Sequence, residues 1–456
     1  MPFVEDLVSL EIGGVTIPIV EHYSVRCGVL EVPAQFEISC GHGGIFAELS
    51  ARFLPETPYK LRVNGTQVQE GEIDGFSLGE GATISLRGRD MLRRVWDTEI
   101  QDESHFTEKS FIALTKLALK AVGLGDRTVV SSNAANRKAI TGREAKQLEK
   151  KRIVDITEAG TFGSDGSKIV EVHHTVHGEV GKTYAEVLIE EYRRAGLFLF
   201  ATHDGGFVLA QPNGSQMPIG RIVRRRGTAR NEVSVVGQPE FHCDTTKRYT
   251  ECVVVGRAGG GRHGRSTIFG RYIDEEMVAW LNPNPADRKD GGKRKKPLVI
   301  TDEKVHTTEQ ANFLARRKIA ESRRNGWRLV YTVEGHSAPA IGGGRFLWMP
   351  DTVHEVIDDE LGIEGPMYLE NVNFIRSGKD GTSAKLHMMR IEDLVYAEEL
   401  PGHKAPKLKK RVGVTTVDRI VDNATPGGPV IWFRDPNVSI GDPVVIDSSP
   451  PAPGAK

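Results

Sequence analysis

Cysteine is scarce. Cys27, Cys40, Cys243 and Cys252 are the four in 456 residues, and no two have C-x-x-C spacing. A disulfide framework or a zinc knuckle needs paired spacings, so these thiols read as small buried hydrophobes in a chain that folds in a reducing compartment. Net charge is also missing: 60 Lys and Arg face 61 Asp and Glu, which leaves -1. That balance argues against a dedicated nucleic-acid binder. No apolar run approaches the length that a bilayer demands. The longest, Ala195-Gly-Leu-Phe-Leu-Phe-Ala201, is far short of the roughly 20 residues of a spanning helix. The start, Met1-Pro-Phe-Val-Glu-Asp6, has no basic n-region, so no signal peptide is read and a soluble protein made in the cytoplasm is expected. Aromatics are modest at 7 %.

Glycine, by contrast, is plentiful at 50 residues, which suits many tight turns between many strands. The length predicts two to four domains with ample core. The most telling pattern is an internal echo. Pro55-Glu56-Thr57 leads into Tyr59-Lys-Leu-Arg-Val63, Gly71-Glu-Ile-Asp-Gly-Phe76, a Gly turn, and Ala82-Thr-Ile-Ser-Leu-Arg-Gly-Arg-Asp90. Nearly the same punctuation returns as Pro350-Asp351-Thr352, Val353-His-Glu-Val-Ile357, Tyr368-Leu-Glu-Asn-Val-Asn-Phe374, a Gly turn, and Ser383 to Arg390. Each copy reads as three short strands, and a spaced internal repeat changes the symmetry that a chain can present.

Residues 1–95 therefore read as a first β-barrel module, opened by a hairpin around Gly13-Gly14 and continued by strands at 24–27 and 35–40. An α+β segment follows over 96–240. Its first helix is expected over 107–122, with Phe111, Leu114, Ala118 and Ala121 on one stripe and Gly123 as the stop. Its second helix starts at Thr183, where Thr183 and Glu186 form a capping box, and leads into a hairpin of 197–200 with 207–210. Between them, 126–181 reads as a poorly ordered insertion. A second β-barrel module spans 241–397, with a loop excursion at 256–300 and a helix at 307–325 lined by Ala311, Leu314, Ala315 and Ile319. Residues 398–456 form a Pro/Lys-rich linker and a C-terminal extension that ends in a Pro-rich stretch. The fold class is α+β and β-dominated.

Several groups invite a chemical reading. Gly259-Gly-Gly-Arg-His-Gly264-Arg265-Ser266 has the spacing of a phosphate loop, but Arg265 stands where the lysine belongs and no convincing helix follows. Gly181-Lys182-Thr183 opens a helix, but Val176 occupies the upstream glycine position. His173, His174 and His177, with Glu171 and Glu179 nearby, are dense enough for a divalent metal, yet the local sequence favours a strand, which would point His173 and His174 apart. The basic clusters Arg221, Arg224, Arg225, Arg226, Arg230 and 293–296 lack the interleaved aromatics of a base-stacking surface and read as solvated loops or contacts to an acidic partner. No nucleophile constellation appears, and no catalytic, cofactor or metal site is assigned. A nucleotide- or metal-dependent enzyme using 259–266 or the histidine cluster stays open as the alternative, and a host-carbohydrate-binding tail module as a second.

The order of parts carries a resemblance. A β module that ends in Gly88-Arg-Asp90 is followed by Gly181-Lys-Thr-Tyr-Ala-Glu-Val-Leu188, Ala195-Gly-Leu-Phe198 and Asp204-Gly-Gly-Phe-Val-Leu209. Then come Asn231-Glu-Val-Ser234, Gln238, Arg248-Tyr-Thr250 and Phe346-Leu-Trp348-x-Pro350-Asp-Thr352. This series, over residues 5 to 397, resembles the baseplate hub proteins of contractile-tailed phages, the Mu-like tail proteins in particular, and is similar to the hub part of type VI secretion spike proteins. The segments 126–181, 256–300 and the tail after 400 depart from the compact pattern. The resemblance implies a virion protein of the tail baseplate and a homotrimer whose six barrels form a ring of pseudo-six-fold symmetry. The ring would join the hexameric tail tube, or its initiator, to the trimeric central spike, with wedge or tape-measure proteins as further neighbours. It implies no catalytic residues, no cofactor, no specific nucleic acid and no membrane insertion.

Overall fold

The computed structural model describes residues 6–19, 21–30, 33–41, 55–79, 83–101, 105–108, 111–131, 137–139, 156–157, 169–172, 174–177, 179–194, 197–210, 212, 214, 216–225, 235–257, 267–302, 305, 308–377 and 381–394. Its centre is one 13-stranded sheet. The strands, numbered in chain order, are β1 (Val8–Ile12), β2 (Val15–Ile19), β3 (His22–Gly28), β4 (Gln35–Gly41), β5 (Pro58–Val63), β6 (Thr66–Gly79), β7 (Thr83–Asp90), β8 (Gly220–Arg224), β9 (Glu240–Cys243), β10 (Trp327–Glu334), β11 (Thr352–Asp358), β12 (Ile363–Ser377) and β13 (Gly381–Arg390). The sheet runs β9-β10-β13-β12-β3-β4-β7-β6-β5-β1-β2, with β11 beside the first half of β12 and β8 beside β11. All these pairings are antiparallel except β8 with β11, which is parallel. The expected strands of the echo are all present, but among the described residues they do not close into two separate barrels. Instead β12 changes neighbour at a bulge between Leu369 and Asn371, leaving β11 and taking up β3. That change fuses the two strand sets into one sheet.

Strict alternation makes these strands. In β3, Tyr23, Val25 and Cys27 are buried while Ser24 and Arg26 lie between them, and β1, β5 and β7 alternate in the same way. The inward rows from both sets meet in a single core that includes Leu10, Phe36, Leu61, Leu329, Trp348 and Phe374. Where β6 crosses β7, only glycine fits: a Cβ on Gly71 would lie 2.0 Å from the Arg89 carbonyl oxygen.

Two smaller lobes flank the sheet. In the first, helices Phe111–Ala121 and Tyr184–Arg194 cover the hairpin Phe198–Ala201 with Phe207–Ala210, to which Val129–Ser131 adds a parallel strand. Thr183 and Glu186 form the capping box, with Thr183 N–H donating to Glu186 Oε2 (2.9 Å) and Glu186 N–H donating to Thr183 Oγ1 (3.2 Å). The first helix spans Phe111–Ala121 rather than starting at 107, because His105–Glu108 is a strand paired with His174–His177. The 126–181 stretch is correspondingly not plain loop: short strands lie at Val129–Ser131, Arg137–Ala139, Ile156–Thr157, Ile169–Val172 and His174–His177.

The second lobe corrects the expected excursion at 256–300. Strands Glu251–Arg257, Thr267–Ile273 and Pro297–Asp302 form a three-stranded sheet, and Glu275–Leu281 is a helix capped by Asp274. Helix Thr308–Gly326 lies on this sheet with Ala311, Leu314, Ala315 and Ile319 buried, as the stripe predicts. The contact is close: a Cβ on Gly270 would meet the Ala311 carbonyl carbon at 2.3 Å. The 398–456 extension lies outside the described residues.

Candidate assembly surface

The two strand sets match at the level of individual backbone atoms. Glu56 and Asp351 both have positive φ, at 70° and 63°. Glu56 N–H donates to the Ile73 carbonyl (2.8 Å) and Asp351 N–H to the Leu369 carbonyl (3.0 Å). Ile73 and Leu369 are each the last paired residue before a bulge in the long strand, β6 and β12 respectively. A bulge re-aims a strand and increases its twist, so the same corner is built twice and redirects both long strands.

Buried polar groups lock the junction between the sets. Asp6 Oδ2 accepts from the His336 N–H (2.8 Å) and from the Thr382 hydroxyl (3.1 Å), while its Oδ1 accepts from Asn64 Nδ2 (2.6 Å). Tyr23 OH lies 2.7 Å from His336 Nε2. Burial, ahead of the opposing Asp6 charge, holds His336 down to about 4, so a neutral imidazole shares this hydrogen bond with the Tyr23 hydroxyl. His354, fully buried beside Phe346 and Trp348, is likewise held down to about 3 by burial. Asp90 closes the first set: its carboxylate accepts from the Ala34 (2.7 Å) and Leu92 (2.8 Å) N–H groups, and burial outweighs both bonds to push it up to about 7.

A second network ties the lobe of residues 251–326 to the sheet. Arg248, 2 % exposed, donates to Asp274 (3.2 Å) and Glu276 (3.0 Å), and Arg323 reaches Asp274 at 2.8 Å. Burial alone would raise the Asp274 carboxyl, but the Arg323 bond and charge, with the Met277 N–H and Arg248, hold it below the usual range. Arg390, at the end of β13, completes the chain by bonding Glu276 (3.2 Å) and Asp393 (2.9 Å).

The basic clusters are mostly consumed in such pairs. Arg221 binds Glu355 at 2.6 Å. Arg224 binds Asp358 (3.3 Å) and also Gln238 and Glu360, while Tyr331 donates to the same Asp358 (2.9 Å). In the 293–296 run, Lys295 and Lys296 cap backbone carbonyls of Asp290 and Thr245. Arg226 and Arg230 lie outside the described residues. So does the 259–266 loop, and the chain that leaves it enters strand Thr267–Ile273 rather than the helix that a phosphate loop requires. Gly181-Lys182-Thr183 does open a helix, but Thr183 is engaged in the capping box. His174 and His177 lie on a strand, as their sequence favours, and His173 is outside the described residues. Among the described residues no cluster of three or more His, Cys, Asp or Glu side chains is arranged to hold a metal. A cleft of about 650 Å³ lies between the two lobes, lined in part by Trp96, Glu186, Asp302, Arg317 and Lys318.

Two exposed aromatic side chains of the sheet were not expected from the sequence. Phe241 on β9 is 44 % exposed, in a strand whose four residues are all exposed, and Phe76 on β6 is 37 % exposed. The signal was present in the echo itself, which paired Phe76 with a position that is buried in the other copy.

No family model and no curated protein matches the chain. Solved structures share its fold. The tail protein from Neisseria meningitidis MC58 superimposes with a TM-score of 0.62 at 19 % identity, covering 84 % of this chain and 96 % of that one. The 43 kDa tail protein of prophage MuSo2 from Shewanella oneidensis gives 0.61 at 16 % identity, covering 86 % and 100 %. A component of the type VI secretion system of E. coli gives 0.46 at 9 % identity, covering 85 % and 78 %. The chain thus has the fold of phage tail proteins, and the resemblance to Mu-like tail proteins read from the order of its motifs is matched by the fold over most of its length.

Proposed function

We propose that this chain is a structural component of a phage tail or a related contractile injection machine: the baseplate hub, a homotrimer that adapts the hexameric tail tube to the trimeric central spike. The observation that carries the reading is the doubled corner at Glu56 and Asp351 within a fold shared with two phage tail proteins. A chain with two equivalent strand sets, taken three times, offers six similar lobes to a six-fold tube and three identical ones to a spike. Tube or tube-initiator, spike and wedge or tape-measure proteins are its partners on this reading, and the tail baseplate of the virion is its location. No helix among the described residues is long and apolar enough to cross a membrane. The hub acts by shape and symmetry, without a catalytic residue or cofactor.

Native mass spectrometry and particle images test this. A trimer at tens of micromolar, seen end-on as a three-fold ring of six lobes, is the expected result. A chain that stays monomeric alone and with tube and spike proteins overturns it. Addition of ATP-Mg or zinc discriminates against the enzyme reading, since a ligand bound only by the folded state must raise the melting temperature; no rise is expected.

A further inference from the structure

Three residues beyond the Asp351 corner, two buried hydrogen-bonding atoms stand side by side with nothing to bond. His354 lies on β11, between Gly220 of β8 and Met367 of β12. Its ring stacks on Phe346 at 5.5 Å and tilts against Trp348 at 4.9 Å, centroid to centroid. His354 and Trp348 are both 0 % exposed, and Phe346 is 3 %. Among the described residues, neither His354 Nδ1 nor Trp348 Nε1 has a hydrogen-bond partner. The β8 backbone closes the site from the other side: a Cβ on Gly220 would stand 2.4 Å from the Phe346 ring and 3.1 Å from His354 Nδ1.

The two atoms are of opposite kind. An indole nitrogen only donates. The role of the imidazole nitrogen is set from the far side of its ring. Thr352 Oγ1 donates its single proton to the Met349 carbonyl (2.7 Å), which only accepts. The 2.9 Å contact between Thr352 Oγ1 and His354 Nε2 is therefore an N–H donated by the ring. Burial keeps the imidazole neutral, so its one proton is the one on Nε2, and Nδ1 presents a bare lone pair. A stranded buried donor thus sits beside a stranded buried acceptor. Each is costly alone, and protein interiors satisfy such groups with a protein atom or an ordered water.

We propose that Trp348 and His354 form a binding site for one buried water, which accepts the indole N–H and donates to Nδ1. The occupant has to accept and donate at once, and its enclosure by three rings and the β8 backbone selects the smallest molecule that does both. Buried waters make about three hydrogen bonds, and these two rings supply two of them. The bridge has a mechanical consequence. Trp348 N–H already donates to the His336 carbonyl (3.1 Å), and His336 belongs to the junction of the two strand sets. Through the water, that junction is tied to β11 just beyond the Asp351 corner, so the lock and the corner become one unit. The site lies within a single chain and is independent of the assembly proposed above.

A crystal structure of the full chain and NMR of its indole groups test this. The expected density is a single peak at about 2.7–3.2 Å from both nitrogens. In solution, the Trp348 indole proton, assigned by its absence from the spectrum of Trp348→Phe, is expected to show a cross-relaxation peak to water. That peak should vanish in His354→Phe, which removes the acceptor. Empty density between the rings, a direct bond between the two nitrogens, or an indole peak to water that is unchanged in His354→Phe each overturns the bridge. Should His354→Phe fail to fold, the wild-type density and the wild-type indole peak decide by themselves.

Discussion

Glu56 and Asp351 hold the same left-handed backbone conformation at equivalent corners, and they differ in what their side chains do there. Asp351 Oδ1 accepts the buried Tyr368 hydroxyl at 2.9 Å. The Glu56 side chain is 74 % exposed and its one ion pair among the described residues is a long contact, 3.8 Å, to Arg93. A left-handed conformation costs a non-glycine residue roughly 1–2 kcal/mol, partly offset in a glycine variant by unfolded-state entropy. Glu56→Gly is therefore expected to stabilise by up to about 1 kcal/mol. Asp351→Gly relieves the same strain but removes the carboxylate that accepts the buried Tyr368 hydroxyl, a loss of about 1–3 kcal/mol, so it should be net destabilising. Urea unfolding of the two variants gives opposite signs if the corners are related in this way.

Arg248 is expected to be one of the most sensitive positions. Removing one partner from a buried ion pair costs about 3–5 kcal/mol because the other charge is left without compensation. Arg248→Ala leaves Asp274, which is 0 % exposed, with Arg323 alone. Asp274 also caps helix Glu275–Leu281 through the Met277 N–H (3.2 Å), so that helix should fray with it. Hydrogen exchange should show the loss concentrated in residues 248–326.

Gly270→Ala probes the packing of helix Thr308–Gly326 on its sheet. The added methyl meets backbone at 2.3 Å, which no rotamer change relieves. Overpacking of this kind costs about 1–3 kcal/mol. A melting shift of the 251–326 lobe, larger than that of Gly75→Ala, where a Cβ meets nothing within 4 Å, is the expected result.

The pH dependence carries two opposing signs. His354 falls from 6.5 to about 3 on folding, so its contribution is full above pH 6.5 and is lost as the pH drops toward 3. Asp90 rises from 3.8 to about 7, so its contribution is full below pH 4 and is lost as the pH climbs toward 7. Between pH 4 and 6.5 the two nearly cancel. A His354→Phe variant removes one side of this balance. Its unfolding free energy should fall relative to wild type as pH rises through that window, by about 1.4 kcal/mol per unit. Urea titrations at pH 4.5, 5.5 and 6.5 check the slope.

The doubled corner was legible because its punctuation is local: a proline, an acidic residue that tolerates a left-handed backbone, a threonine, then alternation. The helix at 308–326 was legible for the same reason, through its apolar stripe. The lobe at 251–302 was not. Strand Pro297–Asp302 alternates only between exposed and half-buried positions and Thr267–Ile273 has one buried residue, so the burial signal of both is weak, and both are held by main-chain pairing with Glu251–Arg257. The fusion of the two sets into one sheet was hidden too, since the partner of β3 is 349 residues away along the chain, as the Ser24–Asn373 bond measures.

That distance also sets a timetable for synthesis. A ribosome adding about 5–20 residues per second needs roughly 17 to 70 seconds between making β3 and making the half of β12 that covers it. Throughout that interval the nascent first set presents the edge of β3, with Tyr23, Val25 and Cys27 along it, as a free strand margin. The same stretch of backbone that seals the finished subunit is, during translation, a site where a neighbouring nascent chain or a chaperone competes with the proper partner.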